Sequence, residues 1–201
     1  MKKFTDLYIS LSILVKKHIE SSNPTILDLG CGPGLLSAEI LKQIPDAIVI
    51  GIDPLKKMLT LAKENTKTSA VQIFEPILGV SEKIPLKENS INIIVSRFSL
   101  PYWEHPKKSF SEMNRVLKPK GKIILEALNR DFPKWKLFGI KIGMLFNQAG
   151  RDVIKYHVDA YRLAHTQEEV EIFFKETGFT IIENHGKKNE WKFTIVAEKT
   201  P

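Results

Sequence analysis

Cysteine is nearly absent from this chain of 201 residues, Cys31 being the only one. An intramolecular disulfide and a cysteine-rich metal site are thereby excluded. No run of eighteen or more apolar residues occurs, so no segment reads as a membrane-spanning helix. The amino-terminal stretch carries Lys2 and Lys3 but then alternates apolar with polar residues, without the continuous apolar core of a signal peptide. These absences predict a cytoplasmic protein. A phosphate-binding Gly-Lys-Ser or Gly-Lys-Thr sequence is also missing, as are internal repeats and low-complexity tracts.

What is present suffices for one sizeable core. With 43% hydrophobic residues the chain is short for two independent cores, and a single domain over residues 1–201 is expected. The net charge of +7 is unevenly placed: residues 116–155 hold nine Lys or Arg against three acids, and the remainder is nearly neutral. A basic block of this kind suits phosphates, an acidic substrate, an anionic membrane surface or simply a solvated face.

Phe4, Leu7, Tyr8, Leu11, Leu14, Val15 and Ile19 recur at intervals of three and four and predict a helix over 3–20. Thr25 to Leu29 reads as a strand stopped by glycine, and Leu35 to Ile44 as a helix halted by Pro45. A second strand runs from Ala47 to Ile52. Pro54 then suits the first turn of a helix reaching about Asn65. Further strands are predicted near Val71 to Phe74, Ile91 to Val95 and Lys122 to Ala127, with a helix from Pro106 to Leu117. Alternation at this spacing implies βαβ units, right-handed crossovers and a largely parallel, doubly wound sheet with helices on both faces. A helix from Thr166 to Thr177 is stopped by Gly178 and leads into two strand-like runs, Phe179 to Glu183 and Trp191 to Glu198. These two should pair as a hairpin, inserting one antiparallel strand into an otherwise parallel sheet. Almost forty residues separate the strand ending near Ala127 from the helix at Thr166, an excess that is usually functional.

The loop Gly30-Cys31-Gly32-Pro33-Gly34 follows a strand and opens a helix, an arrangement that brings backbone N–H groups close to a ligand at the carboxyl edge of a sheet. Asp53 ends the next strand, where a carboxylate can accept hydrogen bonds from both hydroxyls of a ribose. A dinucleotide fingerprint requires glycine at the third position after Gly32, and that residue is Leu35. The loop therefore suits a nucleoside cofactor without a pyrophosphate.

The segment Ile26-Leu27-Asp28-Leu29-Gly30-Cys31-Gly32-Pro33-Gly34 resembles the first motif of the class I S-adenosylmethionine-dependent methyltransferases. Four further segments resemble the same family in order: Gly51-Ile52-Asp53 with Met58-Leu59 and Leu61-Ala62; Glu82 to Ser90; Ser96 to Trp103; and Glu112 to Gly121. The likeness covers roughly residues 25–127, and the tail fits the family's antiparallel hairpin. It implies a Rossmann-like, mostly parallel seven-stranded sheet, with S-adenosyl-L-methionine as cofactor and no metal. It further implies that Asp28 and the backbone of Gly30, Cys31 and Gly32 serve the methionine part, Asp53 the ribose, and Pro54 or Leu55 one face of adenine. Ser96 and Arg97 would lie near the sulfonium. Many relatives carry an acidic residue at the position of Val80 to accept the adenine amino hydrogen, so here the Ser81 backbone or hydroxyl is expected to take that part. The family's aspartate at the start of the fourth strand is Asn92, and its Pro-Gly-Gly turn is Pro119-Lys120-Gly121.

Methyl transfer from an activated sulfonium needs positioning more than any fixed catalytic group, and a base only when the acceptor must lose a proton. His105, Tyr156, His157 and Tyr161 are the candidates, beside Tyr102 and His165, and none is singled out. Cys31 sits in the cofactor loop, which disfavours cytosine carbon-5 methylation. Ser96-Arg97-Phe98-Ser99 stands where amino-methylating relatives carry Asn-Pro-Pro-Tyr or Asp-Pro-Pro-Tyr, and the cysteines of arsenic methylation are missing. The expected activity is methyl transfer to an oxygen, nitrogen or carbon of a small anionic or amphipathic metabolite. An RNA methyltransferase and a noncatalytic interaction module are the alternatives. Residues 130–164 mix Phe132, Trp135, Leu137, Phe138, Ile140, Ile142, Met144, Leu145 and Phe146 with Lys134, Lys136 and Lys141. A lid over the acceptor, packing on the domain's own core, and contact with a membrane surface or a partner all fit this segment. The sequence sets no oligomeric state.

Overall fold

The computed structural model describes residues 2–67, 73–137, 160–187 and 189–200, with the backbone alone for 2–5. Helix α1 (Lys2–Lys17) precedes β1 (Thr25–Leu29), α2 (Leu35–Gln43), β2 (Ile48–Asp53), α3 (Lys56–Asn65), β3 (Ile73–Leu78) and β4 (Ile91–Arg97). A 3-10 turn (Leu100–Tyr102), α4 (Pro106–Val116), β5 (Leu117–Leu128), α5 (Gln167–Glu176), β6 (Phe179–His185) and β7 (Lys192–Lys199) follow. The seven strands form one sheet in the order β3-β2-β1-β4-β5-β7-β6. β1 to β5 pair in parallel, whereas β7 runs antiparallel to both β5 and β6. The doubly wound sheet with its terminal hairpin is thus as expected, with β7 inserted between β5 and β6.

Side chains alternate across each strand, and the two faces bury separate cores. On one face Leu27, Leu29, Ile94, Leu125 and Ile195 pack with Phe110 and Met113 of α4 and Phe174 of α5. On the other, Ile26, Val49, Ile93 and Ile124 meet Leu11 and Val15 of α1 and Leu36 and Ile40 of α2. α5 begins with a capping box: Thr166 accepts from the Glu169 N–H, and the Glu169 carboxylate accepts from the Thr166 N–H.

The first helix ends at Lys17 rather than at 20, and three other boundaries differ from the sequence reading for a local reason. Pro54 lies outside α3: Asp53 Oδ1 accepts from Leu55 N at 2.9 Å, turning the chain so that Leu55 becomes the N-cap. β3 runs to Leu78 through Pro76, which is tolerated because β3 is an edge strand paired only with β2. β5 starts at Leu117, which pairs with Ile91 ahead of a register shift. Inside that irregularity Lys120 takes φ 62°, the left-handed conformation in which the family's glycine would be unstrained. Asn92 is structural, its Oδ1 accepting from Thr25 N at 3.0 Å and Lys118 Nζ at 2.9 Å.

Candidate active site

Chain direction and strand order place the ends of β1, β2, β4 and β5 along one carboxyl edge, and the strand order reverses between β1 and β4. A crevice at such a point is the usual ligand position in an open α/β sheet. Here it is a cavity of about 320 Å³ lined by Asp28, Gly30 to Pro33, Leu35, Leu36, Arg97 and Phe98, with Tyr8, Tyr102, Leu128 and Ala160 completing the wall.

The glycine loop is shaped by backbone conformation and close approach. Gly30, Gly32 and Gly34 have φ of 77°, 53° and 74°. Gly30 N and Cys31 N both donate to Ile52 O, at 2.8 and 3.0 Å, fastening the loop to β2. A Cβ on Gly30 would lie 2.4 Å from Ser99 Cβ, whereas one on Gly32 would meet nothing within 4 Å. The loop is therefore packed from behind and open in front.

Asp53 is buried, with Oδ2 accepting from Gly32 N and Oδ1 from Leu55 N, each at 2.9 Å. One carboxylate thus holds the glycine loop and the start of α3 at fixed spacing. Asp28 is almost fully buried and accepts from Ser37 Oγ at 2.6 Å. Burial raises its pKa to about 6 against the opposing Ser37 bond, with the Asp53 charge adding to the rise. The same burial, with the Asp28 and Asp53 charges beside it, pushes the Cys31 thiol far up and leaves it unreactive.

Beyond β4 the expected residues separate. Arg97 lines the cavity, while Ser96 is fully buried, its hydroxyl donating to Leu29 O at 2.8 Å and lying 2.5 Å from Ser99 Oγ. Pro54, Gly79 and Val80 border a second groove of about 640 Å³ together with Lys83 and Pro85. Val80 and Leu55 are exposed, whereas the Ser81 hydroxyl is buried, bonded to Glu82 Oε2 at 3.0 Å and accepting from Ser109 Oγ at 2.8 Å. Glu112 and Arg115 fix the loop between β3 and β4: Glu112 Oε2 accepts from Ile84 N, and Arg115 donates to Ile84 O and Leu86 O, all at 2.9 Å.

Among the catalytic candidates, His105 is exposed at the N-cap of α4 and does not line the cavity. Tyr161 packs beside it, stacked on Phe132, and its hydroxyl donates to Trp191 O at 3.0 Å. Burial raises the Tyr161 pKa far above the ordinary phenol value, the wrong direction for a base. His165 sits edge-on to Phe173 with Nδ1 buried and its pKa lowered by burial. Tyr102 reaches the cavity wall. Tyr156 and His157 lie outside the described residues, as do Phe138, Ile140, Lys141, Ile142, Met144, Leu145 and Phe146 of the expected lid.

The structure adds residues that sequence reasoning missed. The Arg97 guanidinium carbon lies 4.3 Å from the ring centroid of Tyr8 of α1 and 4.4 Å from that of Phe98. Glu126 of β5 accepts from Arg97 Nε at 2.7 Å, and Lys192 of β7 pairs with its other oxygen. A signal for Glu126 was present, a lone charge in the otherwise apolar run Ile123 to Leu128. No cluster of potential metal ligands occurs among the described residues, and none of the described helices is long and apolar enough to cross a membrane.

Comparison with known proteins places this geometry in context. Residues 27–125 match the family model of a methyltransferase domain. An uncharacterized methyltransferase of Schizosaccharomyces pombe is 30% identical over 116 residues, spanning 55% of this chain and 41% of that protein. The ubiquinone/menaquinone biosynthesis C-methyltransferase UbiE of Rickettsia bellii is 28% identical over 179 residues, 81% of this chain and 71% of that one. The chain thus spans well under half of the first relative's length and about seven tenths of the second's. The crystal structure of a SAM-dependent methyltransferase from Aquifex aeolicus shares the fold with a TM-score of 0.71 at 18% identity, over 94% of this chain and 88% of that one.

Proposed function

Because the chain belongs to the S-adenosylmethionine-dependent methyltransferases, we propose that it transfers the cofactor's methyl group to an oxygen, nitrogen or carbon of a small amphipathic metabolite. One observation carries this reading. A single cavity of about 320 Å³ is bounded on one side by Asp28 and the glycine loop and on the other by the mostly apolar Leu36, Phe98, Leu128 and Ala160. This supports a methyl donor and a small acceptor meeting in one cavity, of a size that suits a small molecule.

The residues fit the cofactor. Gly32 leaves open space in front of the loop, and Asp53, already oriented by two N–H donors, retains lone pairs for ribose hydroxyls. Asp28 faces the same cavity and suits the methionine ammonium, with the Gly30, Cys31 and Gly32 backbone beside it. Pro54, Leu55 and Val80 offer an apolar shelf for adenine, and the Ser81 backbone is the polar group nearest in sequence to that shelf. When bound, S-adenosylmethionine supplies an electrophilic methyl group on a sulfonium. The protein's part is to hold the acceptor in line at near-attack distance and exclude water. Leu35, Leu36, Phe98 and Leu128 provide that dry wall. The lid expected over residues 130–164 lies largely outside the described residues.

The deciding experiment incubates the protein with methyl-labelled cofactor and fractionated metabolite extract, with total RNA in parallel. Label entering a small-molecule fraction is expected. Label entering only RNA would transfer the assignment to a nucleic-acid acceptor, and failure to bind S-adenosylhomocysteine would leave an interaction module.

A further inference from the structure

Arg97 is held in a way that bracing alone does not explain. Glu126, with 3% of its side chain exposed, lies between Arg97 and the partly exposed Lys192, so two positive charges share this one carboxylate. Thr194 Oγ1 lies 3.4 Å from the Glu126 oxygen that serves Lys192. Arg97 gives only Nε to Glu126. Its two terminal nitrogens have no hydrogen-bond partner among the described residues, yet neither is sealed from solvent as a buried unpartnered donor. They belong to a side chain that lines the cavity.

The guanidinium plane is fixed by its neighbours. Tyr8 and Phe98 both contact it, and Phe98 does so from φ 56°, a left-handed conformation costly for an aromatic residue. Phe98 N donates to Glu126 O at 2.9 Å, and its ring centroid lies 5.5 Å from that of Trp191. Backbone strain of this kind persists where surrounding contacts enforce it, commonly at ligand sites. A planar fork with two free donors, held rigid and partly desolvated, is matched to a carboxylate.

We propose that Arg97 receives an acidic group of the methyl acceptor, so that the acceptor is a mostly apolar molecule bearing one carboxylate or comparably acidic oxygen. This rests on reading the cavity as the methyl-transfer site. Strand order sets Arg97 apart from the nucleoside, and the test below separates the acceptor's acid from the cofactor's own carboxylate. Asp53 is on β2 and the glycine loop follows β1, whereas Glu126 draws the guanidinium from β4 toward β5 and β7, away from the nucleoside side. Tyr8, Phe98, Leu128 and Ala160 supply the acceptor's apolar bed.

The test titrates the whole protein, saturated with S-adenosylhomocysteine, with benzoate and with its neutral isostere benzamide. Benzoate is expected to bind about tenfold tighter or more, as for a hydrogen bond to a charged group. Arg97→Gln should abolish that preference while S-adenosylhomocysteine affinity stays within a few-fold, and Arg97→Lys should keep part of it. Equal binding of the two probes to the wild type overturns the proposal. So does a parallel loss of S-adenosylhomocysteine in Arg97→Gln, which would assign Arg97 to the cofactor's carboxylate. A wild type that fails to bind S-adenosylhomocysteine removes the reading of the cavity, and this proposal with it. Glu126 keeps Lys192 as counter-charge in Arg97→Gln; should that variant still unfold, the benzoate–benzamide comparison on the wild type decides alone.

Discussion

The Ser37 hydroxyl donates to Asp28 Oδ2 at 2.6 Å, joining the first turns of α2 to the last residues of β1 inside the core. That bond favours the charged carboxylate, but burial outweighs it and holds the Asp28 pKa at about 6, above the ordinary 3.8. Asp28 is therefore kept in a state that ligand-free folding disfavours at neutral pH, as expected of a group waiting for a cation.

The sign of the resulting pH dependence follows from linkage. A carboxyl raised on folding contributes stability that is fully present below its unfolded pKa and is lost as pH rises through about 6. Asp28→Asn, whose amide oxygen can still accept from Ser37, should thus stabilise the ligand-free protein at pH 7, by at most about 3 kcal/mol for a shift of this size. The advantage should shrink from pH 6 downward and be gone near pH 4. Thermal melts of both proteins across this range check it; a pH-independent difference would place the effect in packing rather than charge. The same substitution should weaken S-adenosylhomocysteine at pH 7.

Asp53→Ala should weaken S-adenosylhomocysteine by about 100-fold, since two bonds from ribose to a charged acceptor would be lost and the Gly32 and Leu55 N–H groups released. Calorimetry beside a thermal melt separates the two losses. Unchanged affinity in a folded variant would remove Asp53 from the site and leave it as a brace of the loop.

The parts legible in the sequence are those whose partners are close along the chain or repeat with a period. The strand, glycine loop and helix from Thr25 to Gln43 form one continuous segment, and Asp53 ends the adjoining strand. The Arg97 cluster was not legible, because Tyr8, Arg97, Glu126 and Lys192 come from α1, β4, β5 and β7 and meet only once the sheet order is set. The bond from the Tyr161 hydroxyl was not legible for a similar reason: its distant acceptor, Trp191 O, carries no mark in the sequence. Asn92 and Lys120, the two departures from the family pattern outside the site, are accounted for by local hydrogen bonding and by one left-handed residue.

Val80 tests the adenine end of the site. It is exposed on the groove that Pro54 and Gly79 border, and its own carbonyl accepts from Lys83 N at 3.3 Å. Val80→Asp should tighten S-adenosylhomocysteine by on the order of 1 kcal/mol, the net worth of a bond that replaces one to water. The backbone bond to Lys83 should be unaffected. A large loss of affinity would mean that the valine methyls pack on the base and that adenine lies deeper in the groove.

Gly30→Ala is expected to cost both folding and binding. The added methyl meets Ser99 Cβ at 2.4 Å, and φ of 77° is unfavourable for any residue with a Cβ. Ser99 Oγ lies 3.2 Å from Leu29 O and 2.5 Å from Ser96 Oγ, so it cannot retreat without breaking the junction of β1 and β4. Adding Ser99→Gly should remove the collision but not the φ penalty, recovering part of the lost stability. Full recovery would show that the conformation at Gly30 is free, and no recovery would locate the strain elsewhere in the loop.

Tyr161→Phe separates a chemical role from a structural one. The hydroxyl donates to Trp191 O, the ring stacks on Phe132 at 6.1 Å between centroids, and burial pushes the phenol's pKa above its ordinary value. Phenylalanine keeps the ring and the stacking but leaves the Trp191 carbonyl without this donor. The expected cost is about 1 kcal/mol of stability, seen as a modest fall in Tm. Trp191 stands next to Lys192 and its ring contacts Phe98, so a small shift there reaches the acceptor wall before it reaches the glycine loop. KM for the acceptor should therefore rise by a few-fold, with kcat and S-adenosylhomocysteine affinity nearly unchanged. A base would behave differently: its removal lowers kcat by about 100-fold or more and abolishes one limb of the pH–rate profile. If Tyr161→Phe shows that pattern, the phenol must leave Trp191 when acceptor binds, and the wall from Ala160 to Ala164 moves during turnover.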